Sequence, residues 1–298
     1  MKFIVNSNIW ISFGAIALLF ATDVLANEGI SSLHLYSIVF FSTLLTYNWQ
    51  RMLSVKKRQQ HAISQLSQWM GRNLFWGTLA SAVALAICSY NFFQLAQKQQ
   101  AALIILGLVS VIYALPLLPS PRGFIRLRDF GFAKPVVLGI TWGITTTLLP
   151  LLAIAHDGQV TWYGYNNDWL IVARCLTMIG ICIPFDIKDM NFDRATMAYP
   201  TLPVKLGIKR TLVLSHLFLL AGFVAISLWW AQTDWAWPVL LGIIVSLGFE
   251  IGLIYRTKET SNEWHYAFKL DGLLILHTIL VAGSALLWGW CNGSINNF

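Results

Sequence analysis

Nine stretches of this sequence are apolar over about the thickness of a bilayer. A membrane helix needs about 20 mostly apolar residues. The segments Ile9–Ala26, Leu33–Gln50, Leu74–Phe93, Ala101–Leu118, Pro135–Ala155, Trp169–Phe185, Thr211–Ala231, Ala236–Tyr255 and Asp271–Trp290 meet or approach that length. The second is the most polar, with Ser, Thr, Tyr and Asn among its residues. Little chain is left for a soluble domain, so residues 1–298 are expected to form one all-α, polytopic domain. Composition agrees. The chain is 57% hydrophobic and 11% charged, where soluble domains are about 45–50% apolar and about 25% charged. An ordinary cytosolic enzyme, a disordered protein and a nucleic-acid-binding module are thereby excluded.

The net charge of +7 is a topology signal. With the N-terminus inside, every Lys and Arg falls on the inner side except Lys98, which lies outside, and Arg174, within span six. Such a bias sets orientation. It predicts a cytoplasmic N-terminus and an outer C-terminus in a bacterial inner membrane. Lys2, the apolar run after it and Val24-Leu25-Ala26 also resemble a secretory signal peptide. The eight spans that follow favour a first membrane helix. Arg174 lies near the outer face and is expected to snorkel outward. Cys88, Cys175, Cys182 and Cys291 show neither CxxC nor Cys/His metal spacing, and read as small apolar fillers.

One segment breaks the basic inner face. Asp186, Asp189 and Asp193 stand at i, i+3 and i+7, on one stripe if the sixth helix runs on past Phe185. Three like charges repel. A magnesium ion, which takes carboxylate oxygens together with substrate phosphates, would offset them; Lys188 and Arg194 would offset part. On spacing alone a solvated helix end of mixed charge is an equal reading.

The residues that follow decide between these. Asp186-x-x-Asp189-x-x-x-Asp193, then Thr201-Leu202-Pro203-Val204-x-x-Gly207, resembles the second aspartate motif of the UbiA prenyltransferase superfamily. Tyr113 to Pro119 and Lys134 to Gly143 resemble the inner end of that family's fourth helix and the start of its fifth. The resemblance implies about nine helices around a central cavity open to the inner face. It also implies transfer of a prenyl group from an isoprenoid diphosphate to an aromatic or lipophilic acceptor. Asp186, Asp189 and Asp193 would hold magnesium, and Asn48, Arg51, Lys56, Lys134, Lys188 and Arg194 the diphosphate. Membrane lipid is a further partner, and nucleic acid is not.

The first motif of the family, N-x-x-x-D-x-x-x-D, is altered. Asn48 matches, but Met52 and Lys56 replace the two aspartates. Methionine is no ligand for a hard cation and lysine repels it. Either cationic side chains contact the phosphate in place of one magnesium, or the chain has lost transferase chemistry and binds or moves a prenyl lipid. Positive-inside anchoring alone also accounts for Arg51, Lys56, Lys57 and Arg58.

Ionisable groups inside spans are costly and often functional. His216, Glu250 and His277 lie five or six residues from the inner face, roughly 8–9 Å deep. They are the candidates to orient an acceptor or take its proton. Separately satisfied polar side chains are the alternative. Asp271 opens the ninth span, where a carboxylate is stabilising by its position alone.

Overall fold

The computed structural model describes residues 1–26, 29–57, 65–120, 123–154, 167–196 and 200–291. Among these, the long helices coincide with the apolar runs. A short α1 (Lys2–Asn6) precedes α2 (Ile9–Ala26), α3 (Leu33–Lys57), α4 (Gln65–Arg72), α5 (Leu74–Phe92) and α6 (Gln97–Ala114). Strands β1 (Leu118–Ser120) and β2 (Gly123–Ile125) pair antiparallel, with Leu118 opposite Ile125. Then come α7 (Ala133–Gly143), a π-helical turn (Ile144–Leu148) and α8 (Leu149–Ile154). Helices α9 (Asp168–Cys182), α10 (Phe185–Thr196), α11 (Leu202–Leu206), α12 (Ile208–Trp230) and α13 (Trp237–Tyr255) follow. A second π-helical turn (His265–Leu270) leads into α14 (Asp271–Cys291).

Eight of these helical segments are long and apolar enough to cross a bilayer. The ninth, α3, has the length but more polar residues, as its sequence indicates. The protein is an integral membrane protein. Its first helix is part of the core, with Ala15, Leu18 and Leu19 fully buried and α2 packed between α14 and α3. Helix packing runs from α2 through α14, α13, α12, α9 and α7, and returns to α2 at the first π-helical turn. The ring encloses a cavity at the end of the bundle where the basic residues gather.

Small residues set the closest approaches. A Cβ on Gly139 would lie 2.6 Å from the Ile179 backbone nitrogen, and one on Gly143 2.8 Å from the Cys175 Cα. The two glycines are one turn apart, so α7 lies directly against α9. The sixth span ends close to the Phe185 expected from the sequence, and the helix does not run on unbroken into the acidic cluster. Pro184 interrupts it, and the aspartates stand on the separate helix α10. Downstream, the Thr-Leu-Pro-Val-x-x-Gly run is punctuation. Thr201 precedes the first turn of α11, and Pro203 sits in that turn. Gly207 takes φ +79, which a side chain would strain, to start α12.

Candidate active site

A cavity of about 250 Å³ opens at the basic end of the bundle. Its charged wall carries Arg51, Arg128, Lys134, Lys188, Asp189 and Asp271. Its aromatic wall carries Tyr47, Tyr113, Trp142, Phe185 and Tyr266. A second cavity of about 350 Å³ shares Tyr47, Gln50, Tyr113, Leu138 and Trp142 with it, and runs between α3, α6 and α7 among aliphatic side chains interspersed with Ser and Thr hydroxyls.

Lys134 is the centre of the charged wall. It stands in the first turn of α7, is 12% exposed, and pairs directly with Asp186 of α10, itself 1% exposed. Its Nζ lies 3.9 Å from Asp189 Oδ2. The α7–α9 contact holds this pair in place, since α10 follows α9 after a two-residue break. Asp193, 3% exposed, completes the acidic stripe. Burial pushes its carboxyl up to about 6, and the negative charges of Asp189 and Asp186 add to that against the pull of Lys134.

Arg128 reaches the cavity through a small clamp. Arg126 Nη2 donates to Asp129 Oδ1 (2.6 Å), and the Arg126 backbone N–H donates to Asp129 Oδ2 (3.0 Å). Burial works against the Asp129 carboxylate, but these bonds outweigh it and hold its pKa below the ordinary value. Arg128, one of the two residues between them, is left 5.9 Å over the Tyr113 ring. A Cβ on Gly131 would strike the Pro200 carbonyl at 2.1 Å, so this turn presses on the Thr201 segment. Arg51 donates to the Asn6 carbonyl (2.7 Å) and lines the cavity beside Asp271. Helix α4 adds Leu66 and Ser67 to the wall. Its first backbone N–H groups, on Gln65 and Leu66, donate to the Glu263 carboxylate at 2.8 and 2.9 Å.

The other expected residues lie elsewhere. Asn48 is buried and its Oδ1 accepts from Asn8 Nδ2 at 2.7 Å; Asn8, not Asn48, is in the cavity wall. Met52 turns to α5, with its sulfur 3.7 Å from the Thr78 hydroxyl. Arg194 is exposed, with Nη2 near the Met190 sulfur. The side chains of Lys56 and Lys57, and all of Arg58, lie outside the described residues.

His216, Glu250 and His277 are absent from the wall of the main cavity. His216 sits 3.3 Å from the Ile251 carbonyl. Glu250 accepts from Ser246 (3.0 Å), and His277 Nδ1 is 2.9 Å from the Ser246 hydroxyl and 3.2 Å from Glu250 Oε1. Glu250 and His277 line a separate small void together with Arg174. Arg174 is 5% exposed, so it does not snorkel outward; it turns into the bundle, to the void it shares with Glu250. Sequence reasoning missed Arg128 and Asp271 as cavity residues. The position of Asp271 at the start of the ninth span was the available signal.

Among the described residues no three His, Cys, Asp or Glu side chains converge as a ready-made ligand set. The acidic stripe does leave two oxygens open to a cation: Asp186 Oδ2 and Asp193 Oδ2 are buried acceptors that receive no hydrogen bond, although Asp186 is already paired with Lys134. The altered first motif does not fit a second, because Asn48 is engaged and Met52 faces away.

Comparison with known proteins gives the fold. No family model and no curated protein matches the chain by sequence. Two solved structures match in three dimensions. One, described as digeranylgeranylglyceryl phosphate synthase in membranes, shares 16% identity with a TM-score of 0.59, over 98% of this chain and 96% of that one. The other, a UbiA homologue from Aeropyrum pernix K1, shares 16% identity with a TM-score of 0.60, over 93% of this chain and 98% of that one. The chain has the fold of these two proteins.

Proposed function

We propose that the chain is a member of the UbiA superfamily and transfers a prenyl group from an isoprenoid diphosphate to a lipophilic or aromatic acceptor. The observation that carries this reading is the junction of two walls. Four cationic side chains, Arg51, Arg128, Lys134 and Lys188, line one cavity that shares Tyr47, Tyr113 and Trp142 of its aromatic wall with a second, mainly apolar one. An amphiphile with an anionic head and an apolar tail matches both. The orientation expected from the loops, with the basic end cytoplasmic, places that mouth where soluble diphosphates arrive.

Arg51, Arg128, Lys134 and Lys188 bind the diphosphate through charge-assisted hydrogen bonds. Asp186, Asp189 and Asp193 would hold magnesium, which neutralises charge on the leaving group when bound. Ionisation breaks the bond between the allylic carbon and the diphosphate oxygen, and the electron pair leaves with the diphosphate. Tyr47, Tyr113, Trp142 and Tyr266 face the resulting cation with π-electrons and exclude water. The acceptor forms the new bond to that carbon and gives up a proton. Asp271, the cavity carboxylate outside the acidic stripe, is placed to orient the acceptor and receive that proton.

Catalytically silent binding of a prenyl lipid is the second reading. It is favoured by the loss of first-motif acids and by the Asn8–Asn48 bond. Purified protein incubated with magnesium, labelled prenyl diphosphates and candidate acceptors separates the two. Diphosphate release abolished by Asp189→Ala supports transfer. Tight binding without release, at every chain length, supports silent binding, and neither binding nor release overturns both.

A further inference from the structure

On the outer side of the ring a groove of about 470 Å³ lies between the start of α2, the last turns of α13 and the start of α14. It is separate from the cavities above. Its bed is apolar, from Phe249, Leu253, Leu273 and Leu276, and one edge is Trp10 and Phe268. Those rings stack at 5.1 Å, and Trp10 Nε1 donates to the Phe268 carbonyl at 3.0 Å, so the edge is fixed. At Gly248 and Gly252 an added Cβ would meet nothing within 4 Å; the groove reaches the backbone of α13 there. Arg256 and Lys269, both exposed, close it at the basic end.

We infer that this groove is a binding site for an anionic phospholipid of the leaflet at the basic end, with an acyl chain on the α13–α14 bed and its phosphate between Arg256 and Lys269. The charge decides the occupant. A groove open to the bilayer is filled by something apolar, and a neutral lipid or a second copy of the chain would serve the bed equally well. Two cations at the mouth favour a headgroup of opposite charge, each contributing attraction near the surface. A second copy docking through the Gly248-x-x-x-Gly252 face, which is the spacing that lets membrane helices approach, would bring Arg256 and Lys269 against their own counterparts. That repulsion disfavours the copy and favours the lipid.

Native mass spectrometry of the full chain, mixed with phosphatidylglycerol or phosphatidylcholine of identical chains, tests this. Retention of phosphatidylglycerol is expected to exceed that of phosphatidylcholine by roughly tenfold. The R256Q/K269Q variant is expected to lose the preference and keep the residual binding of both. Gly252→Leu, which fills the bed, is expected to lower retention of both with the charges intact. Melting profiles of the variants in detergent establish that they fold; K269Q alone, an exposed change, serves if the double variant does not, and is expected to lose part of the preference. Equal retention of the two lipids, a preference unchanged in R256Q/K269Q or K269Q, or dimers that Gly252→Leu abolishes, would overturn the assignment.

Discussion

Burying Lys134 against Asp186 takes two charges out of water, and each makes the other tolerable. Removing one partner leaves an uncompensated buried charge, which typically costs about 3–5 kcal/mol. Lys134→Met is therefore expected to destabilise the protein by about that amount, and adding Asp186→Asn to recover much of it, read by denaturant melts in detergent. Additive losses would show that the pair is not the reason for the burial. Asp271 has a different role in this account. Asp271→Asn keeps the size of the side chain and removes its charge. It is expected to lower turnover strongly while prenyl diphosphate binding stays within about twofold (under about 0.5 kcal/mol). An equal loss in binding would place Asp271 at the diphosphate instead.

At the scale of elements, two junctions hold the site. Glu263 accepts from the first backbone N–H groups of α4, a cap supplied from almost 200 residues away in sequence. Glu263→Ala is expected to cost about 1 kcal/mol and to raise hydrogen exchange in residues 65–72 above that in α12. Uniform exchange would argue against a local cap. Gly139 lets α7 touch α9. Gly139→Leu forces the helices apart, with an expected loss of about 1–3 kcal/mol and weaker diphosphate binding through displaced Lys134. These junctions were only partly legible beforehand. The apolar runs announced the long helices because their lengths are dictated by the bilayer, whereas Pro203 and Gly207 stood out as parts of a motif and not as the turn they form. The break at Pro184 is local, but it lies inside an apolar run that on length alone extends to Phe185. The cap by Glu263 left no local trace, since nothing near residue 263 indicates a helix start at residue 65.

For the whole molecule, the question is which side chains a ring of helices turns inward. Sequence spacing gave the depth of Glu250, His277 and Arg174 but not their facing. Glu250 and His277 meet across α13 and α14, beside Arg174 of α9, in a void apart from the main cavity. Depth and facing separate because each helix is free to rotate about its axis until tertiary packing fixes it. Arg128 and Asp271 illustrate the reverse: the one unremarkable in sequence, the other explained there by its place at a helix start, they are turned inward by a clamp and by the last helix. Lys134, Lys188 and Asp189, singled out by motif, do line the cavity.

The proposed transfer requires two adjoining cavities to take an anionic head and an apolar tail together. Equilibrium binding of a prenyl diphosphate against the prenyl alcohol of equal length, to the purified protein and to its Arg51→Gln and Lys188→Gln variants, tests that most directly. The diphosphate is predicted to bind at least about tenfold more tightly than the alcohol, about 1.4 kcal/mol, with the difference shrinking in each variant. Equal affinity for alcohol and diphosphate, or a difference untouched by both substitutions, would contradict it.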